Sequence, residues 1–105
     1  MEIVETSVFT KQIRKLLRDD EYRELQEQLV IHPLAGAVIR GSGGLRKVRW
    51  AVEGRGKSGG IRVIYYYVAQ DDRIFMLGAY SKAAKEDLTD SKVAALRKLV
   101  EEELS

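Results

Sequence analysis

The 105 residues, 45% of them hydrophobic, suit one modest core and leave no room for a second domain of ordinary size. Cysteine is absent and His32 is the sole histidine, which excludes a disulfide framework, a thiolate metal site and a histidine-built zinc site; no metal and no cofactor are expected. The net charge is only +2, but Arg40–Arg62 holds seven cations against one acid, Glu53. That segment therefore carries +6 and the remainder −4, the electrostatic footprint of a polyanion partner.

In chain order, Glu2–Val8 mixes β-branched and polar residues and predicts a short strand. Thr10 is the expected cap of the helix that follows, whose apolar residues Phe9, Ile13, Leu16 and Leu17 recur at helical spacing. Asp19 and Asp20 interrupt it and are placed to cap a second helix, with Tyr22, Leu25, Leu29 and Val30 as its stripe. His32-Pro33 ends that helix, because a residue before proline disfavours the helical region. The short connection predicts a helical hairpin.

After the breaker Gly41-Ser42-Gly43-Gly44 the period changes. Leu45–Val52 predicts a strand with Lys47 and Arg49 on one face and Arg46, Val48 and Trp50 on the other. Arg62–Val68 predicts a central strand and Ile74–Tyr80 the next, joined by a polar turn at Gln70–Arg73. Short loops make these three an antiparallel meander. Asp90 is the expected cap of a last helix with the stripe Val93, Leu96, Val100 and Leu104. The order β-α-α-β-β-β-α is an α+β domain. Its helices are expected on one face of the sheet, leaving the other for the charges.

The stretch "GRGKSGG" at Gly54–Gly60 contains Gly-Lys-Ser, the end of a nucleotide phosphate loop. The full motif needs a glycine five positions before Gly56, and Ala51 stands there. That motif must also open a helix, whereas a β-branched strand follows. A glycine-rich hairpin loop presenting Arg55 and Lys57 to a sugar-phosphate backbone is the better reading. Of Tyr65, Tyr66 and Tyr67, at least one is expected in the core, and one on the other face is free to stack on a base. Core packing is likewise favoured for Trp50. No apolar run approaches the roughly 18 residues of a spanning helix. The N-terminal segment carries Glu2 and Glu5 and no long apolar stretch, so neither a membrane anchor nor a signal peptide is expected, and a cytoplasmic protein is.

The stretch "GGLRKVRWAVEGRGKSGGIRVIYYYV" followed by "FMLGAYSKAAKEDLT" resembles the RelE/ParE superfamily of bacterial toxins, closest to the HigB-like branch. The shared pattern is Leu-x-x-x-Arg on one strand, Gly-x-Arg-Val-Ile-Tyr on the next, and a third apolar strand ending in Tyr-x-Lys. The order of elements agrees from end to end, over most of residues 1–105. The resemblance implies the toxin of a type II toxin–antitoxin module that enters the ribosomal A site and cuts the mRNA codon there. Attack of a ribose 2′-OH on the adjacent phosphate, without metal, leaves a 2′,3′-cyclic phosphate. By position, Lys47 and Arg49 match the family's basic pair on the first meander strand, Arg62 the arginine of the central strand, and Lys82 a basic residue after the third strand, with Tyr80 beside it.

These residue types suit the reaction. Breaking an RNA phosphodiester requires a proton taken from the 2′-OH, a stabilised dianionic phosphorane-like state and a proton given to the 5′-oxygen. Arg62 and Arg49 match phosphate oxygens with a planar, permanently charged fork. Lys47 or Lys82, among other cations, and Tyr80 are the proton-transfer candidates. The chain departs from members that carry a tyrosine in or before the last helix or a histidine near the site, so the acid and the base stay open among these three. Arg40, Arg46, Arg55 and Lys57 are expected to bind RNA or the ribosome. The family further implies a cognate antitoxin, typically a helix-turn-helix protein of the HigA type, with ribosome and mRNA as the other partners and no membrane. Two rival readings are a ParE-like gyrase-inhibiting toxin and a non-enzymatic RNA-binding module.

Overall fold

A computed structural model describes residues 1–52, 60–82 and 88–104. The elements are β1 (Glu2–Glu5), α1 (Ser7–Leu16), α2 (Asp19–Ile31), β2 (Ala37–Val38), β3 (Arg46–Trp50), β4 (Ile61–Val68), β5 (Arg73–Ser81) and α3 (Asp90–Leu104). They form an α+β fold on one mixed sheet of order β1-β5-β4-β3-β2. β3, β4 and β5 are the expected antiparallel meander. β1 joins the far edge parallel to β5, so the sheet is not wholly antiparallel.

The first strand is shorter than expected. It stops at Glu5, and Thr6 rather than Thr10 caps α1, its Oγ1 accepting the Phe9 N–H at 3.1 Å. The earlier start places Phe9 and Ile13 on the buried stripe, with Phe9 fully buried. Thr10 instead donates its hydroxyl to Glu5 Oε1 at 2.6 Å. The second cap also moves by one residue. The Arg18 N–H donates to Glu21 Oε1 at 2.9 Å, and Asp19 and Asp20 become first-turn acids near the positive helix end. Tyr22 links the pair of helices to β1: its ring lies 5.9 Å from that of Phe9 and its hydroxyl donates to Glu5 Oε2 at 2.7 Å. Burial, and then the Glu5 carboxylate, push the Tyr22 phenol well above its ordinary range. His32 closes α2 as expected, its N–H donating to Gln28 O at 2.8 Å.

Helices cover both faces of the sheet, not one. Phe9, Ile13, Leu17, Leu25 and Leu29 of the helical pair pack on Ile61, Val63, Tyr65, Ile74 and Met76. On the reverse face, Val93 and Val100 of α3 pack on Leu45, Ile64, Phe75 and Leu77. The reason lies in β4. Apart from Arg62 its residues are apolar or aromatic on both faces, and a strand of that kind is stable only when covered twice. Thr89 rather than Asp90 caps α3, accepting the Lys92 N–H at 3.2 Å.

The strand β2 has no counterpart in the sequence reading. Gly36 precedes it because a Cβ there would meet the Tyr65 ring at 2.9 Å and the Lys47 backbone at 3.1 Å. Tyr65 fixes this segment, accepting from Gly36 N and donating to Pro33 O, both at 2.8 Å. Among the described residues no helix is long and apolar enough to cross a membrane.

Candidate RNA-cleavage site

Side chains on one strand alternate between faces, and cross-strand partners share a face. The register therefore places the basic residues without ambiguity. Arg49 of β3 stands opposite Arg62 of β4, and Arg62 stands opposite Tyr80 of β5. Lys47 lies two residues along the same face, opposite Ile64. These residues share the α3 side of the sheet, since Ile64 belongs to the core beneath α3. The faces expected for Lys47 and Arg49, and for Val48 and Trp50 against the other core, are those observed.

Where β4 begins and β5 ends, the row opens into a cleft of about 270 Å³ lined by Arg49, Trp50, Gly60, Arg62 and Lys82. The Lys82 N–H donates to Gly60 O at 2.8 Å, so the backbone carries this lysine to the rim. Arg49 and Lys82 are exposed; Lys47, Arg62 and Tyr80 are half-buried. Among the described residues no ion pair engages Lys47, Arg49, Arg62 or Lys82. Among the described residues the Arg62 guanidinium makes a single, long hydrogen bond, Nη1 to Ile61 O at 3.4 Å. Like charges directly opposite in a sheet are destabilising. An arginine pair of this kind, without carboxylates, holds positive potential ready for an anion.

The other predicted cations are dispersed. Arg46 lies on the opposite face, where its Nη1 donates to Gly36 O at 2.7 Å and, more weakly, to Leu34 O at 3.4 Å. Arg40 lies before β3 rather than near its end, in a larger cleft of about 580 Å³ shared with Arg97 and Lys98 but also with Asp90 and Glu101. Arg55 and Lys57, and the glycine-rich hairpin loop that carries them, lie outside the described residues. Trp50 packs against the first core, and Tyr66 packs against the second with the Arg97 guanidinium 4.8 Å from its ring centre. His32 is exposed at the end of α2, outside the basic row.

Two residues near the row escaped the sequence reading. Gln12 of α1 accepts the Ala79 N–H at 2.9 Å beyond the point where β1 ends. Gly78 lies in β5 beside a register shift that skips Leu77. The glycine inside an otherwise apolar strand was the available signal for both. Among the described residues no group of three or more metal-ligating side chains converges. Chemically, the cleft offers two guanidinium forks, of Arg49 and Arg62, and the Lys82 ammonium group; Lys47 and Tyr80 share the sheet face with the arginines but do not line it.

The family model described as the RelE toxin of the RelE / RelB toxin-antitoxin system matches residues 1–105. A solved structure of E. coli toxin RelE, a double arginine-to-alanine mutant in the free state, is similar in fold. It is 18% identical with a TM-score of 0.57, over 94% of this chain and 95% of that one.

Proposed function

The chain belongs to the RelE toxin family, toxins of type II toxin–antitoxin systems that inhibit translation, and on that premise we propose that it acts as a ribosome-dependent mRNA endonuclease. The observation that carries this reading is the Arg49–Arg62 pair, set side by side with Tyr80 in the next strand, neither arginine being ion-paired to a carboxylate among the described residues. The two guanidinium groups hold the non-bridging oxygens of the scissile phosphate and stabilise the dianion that forms on 2′-OH attack. The P–O bond to the 5′-oxygen breaks as the 2′-oxygen bond to phosphorus forms. One proton leaves the 2′-OH and one reaches the departing 5′-oxygen. Lys47, Lys82 and Tyr80 are the groups on this face able to carry them.

Arg40, Arg55 and Lys57 extend the phosphate contacts along the RNA or ribosome. Arg46 contributes to the sheet edge first and to RNA only through what its two carbonyl bonds leave over. A cognate antitoxin follows from the family. We assign it to the helix-turn-helix type and place the toxin's action in the cytoplasm, where ribosomes are. Residues 1–105 act as one unit.

The test is primer extension on an mRNA in a translation system with and without ribosomes. Cuts within codons that need ribosomes are expected. Their absence with folded protein, or DNA breaks in the presence of gyrase, would overturn the reading. Ribosome binding is expected to weaken steeply with salt, because several phosphates are contacted.

A further inference from the structure

β1 pairs with β5 only over Arg73–Met76, so among the described residues the stretch from Leu77 to Tyr80 has no strand on its outer side. A cleft of about 370 Å³ opens along this edge between α1 and α3. Val8 and Gln12 line it from α1, Leu96 from α3, Leu88 from the segment just before α3, and Ile64 and Gly78 from the sheet. Tyr80 also lines it, and Tyr80 is the neighbour of Arg62 in the basic row. The cleft thus begins where the basic row ends.

Gly78 is the informative residue. A glycine inside a strand weakens it, and its usual causes are a bulge, a positive φ or a neighbour too close for a Cβ. Gly78 stands beside the register shift that skips Leu77, and the other two causes do not hold. Gly78 has no positive φ, and among the described residues a Cβ there would meet only Gln12 Oε1, at an ordinary 3.6 Å. Gly36 is the contrasting case, barred from a side chain at 2.9 Å. Packing does not require Gly78; its effect is to keep space open beside the basic row.

The space has apolar walls and one fixed polar group. Gln12 Oε1 accepts the Ala79 N–H, which orients the amide and leaves its NH2 and a second Oε1 lone pair for a ligand. A flat ring with apolar faces and a donor–acceptor edge meets both features, and a glutamine amide pairs with such an edge through two bonds. Lys92 at the rim and the adjacent arginines favour an occupant that carries phosphate. We propose that this cleft receives one unstacked base of the RNA whose phosphate lies at Arg49 and Arg62. The inference rests on the endonuclease reading and makes Gly78 and Gln12 determinants of base preference.

The experiment compares wild type with Gly78→Val, and with the milder Gly78→Ala, by mapping cuts across an mRNA containing all codons. Thermal melts establish that each variant is folded. Filling the cleft is expected to reduce base preference at one position flanking the cut by about tenfold, with cutting retained. An unchanged preference in folded variants would overturn the proposal while leaving the endonuclease reading intact. Loss of antitoxin binding with unchanged base preference would assign the cleft to a protein partner and overturn it as well. If wild type cuts no RNA, the endonuclease reading falls, and the cleft is read by NMR titration with adenosine 3′-monophosphate against inorganic phosphate. Nucleotide-specific shifts at Gly78 and the Gln12 amide, lost in Gly78→Val, would support a base site. Shifts confined to the arginines would overturn it.

Discussion

On one face of β3, Arg46 reaches back to the Gly36 carbonyl at 2.7 Å, and across the strand pair Tyr65 holds Gly36 and Pro33 with its hydroxyl. On the other face, three residues on, Arg49 stands opposite Arg62 and has no ion-pair partner among the described residues. The residue types are the same and the arrangement is reversed. On the first face Arg46 and Tyr65 close a gap left by an irregular segment, which is how buried polar groups contribute to stability. On the second, charges are gathered at some cost to the fold, which is how a site for an external anion is built. Arginine by itself therefore tells little; whether its partner belongs to the chain decides its role.

The largest effect expected from this contrast is on activity. Arg62→Ala is expected to lower the rate of ribosome-dependent mRNA cleavage by about 100- to 1,000-fold, the cost of removing one donor from a developing oxyanion. Its melting temperature is expected to stay near wild type, because among the described residues the Arg62 guanidinium has only the long Ile61 hydrogen bond to lose. Undiminished cutting by a folded Arg62→Ala protein would remove the row from the chemistry and erase the functional half of the comparison.

How much of this was legible in the sequence depends on the range of the interaction. The assignment of Lys47 and Arg49 to one face needed only strand alternation, and the meander needed only short loops. The placing of Arg49 opposite Arg62 needed the register, which the glycine-rich sequence between them does not specify. Alternation also puts Arg46 on the opposite face, but sequence shows its charge and not the carbonyls that engage it. Its partners, Leu34 and Gly36, lie in a segment whose strand β2 is only two residues long and leaves no periodic trace. The cover on the second face could have been read from "IRVIYYYV", where both alternating sets are apolar apart from Arg62. The caps moved because Thr6, Thr10, Thr89 and Asp90 all have the right chemistry, and burial of Phe9 and Val93 chooses among them.

The next effect tests the structural face. Tyr65→Phe removes the bonds to Gly36 and Pro33 and leaves the buried Gly36 N–H without its acceptor. A loss of about 2 kcal/mol and roughly 10 °C in melting temperature is expected, with cleavage per folded molecule unchanged. Alkaline titration supplies an independent readout. Burial raises the Tyr65 phenol above its ordinary value of 10.0. Above that pH the unfolded chain releases the proton and the folded chain keeps it, so stability present below pH 10 falls as pH rises through the folded value. The Phe variant lacks this component, which chemical denaturation at pH 9 and pH 11 measures as a smaller difference than in wild type.

The smallest effect has the sharper sign. If Arg49 and Arg62 are held together against their mutual repulsion, Arg49→Gln keeps most of the side-chain length and removes one charge. Stability is then expected to rise, by about 0.5 kcal/mol, and more at low than at high ionic strength, because salt already screens the wild-type repulsion. Cleavage is expected to fall at the same time. On the first face the corresponding change has the opposite sign. Arg46→Gln shortens the reach to Gly36 O, so stability falls and its salt dependence is weak, since the lost partners are carbonyls and not charges. Denaturant midpoints of the two variants at low and high salt decide the matter. Equal shifts of one sign would mean that both arginines serve the fold; opposite shifts, with only Arg49→Gln losing activity, mean that β3 divides its arginines between structure and substrate.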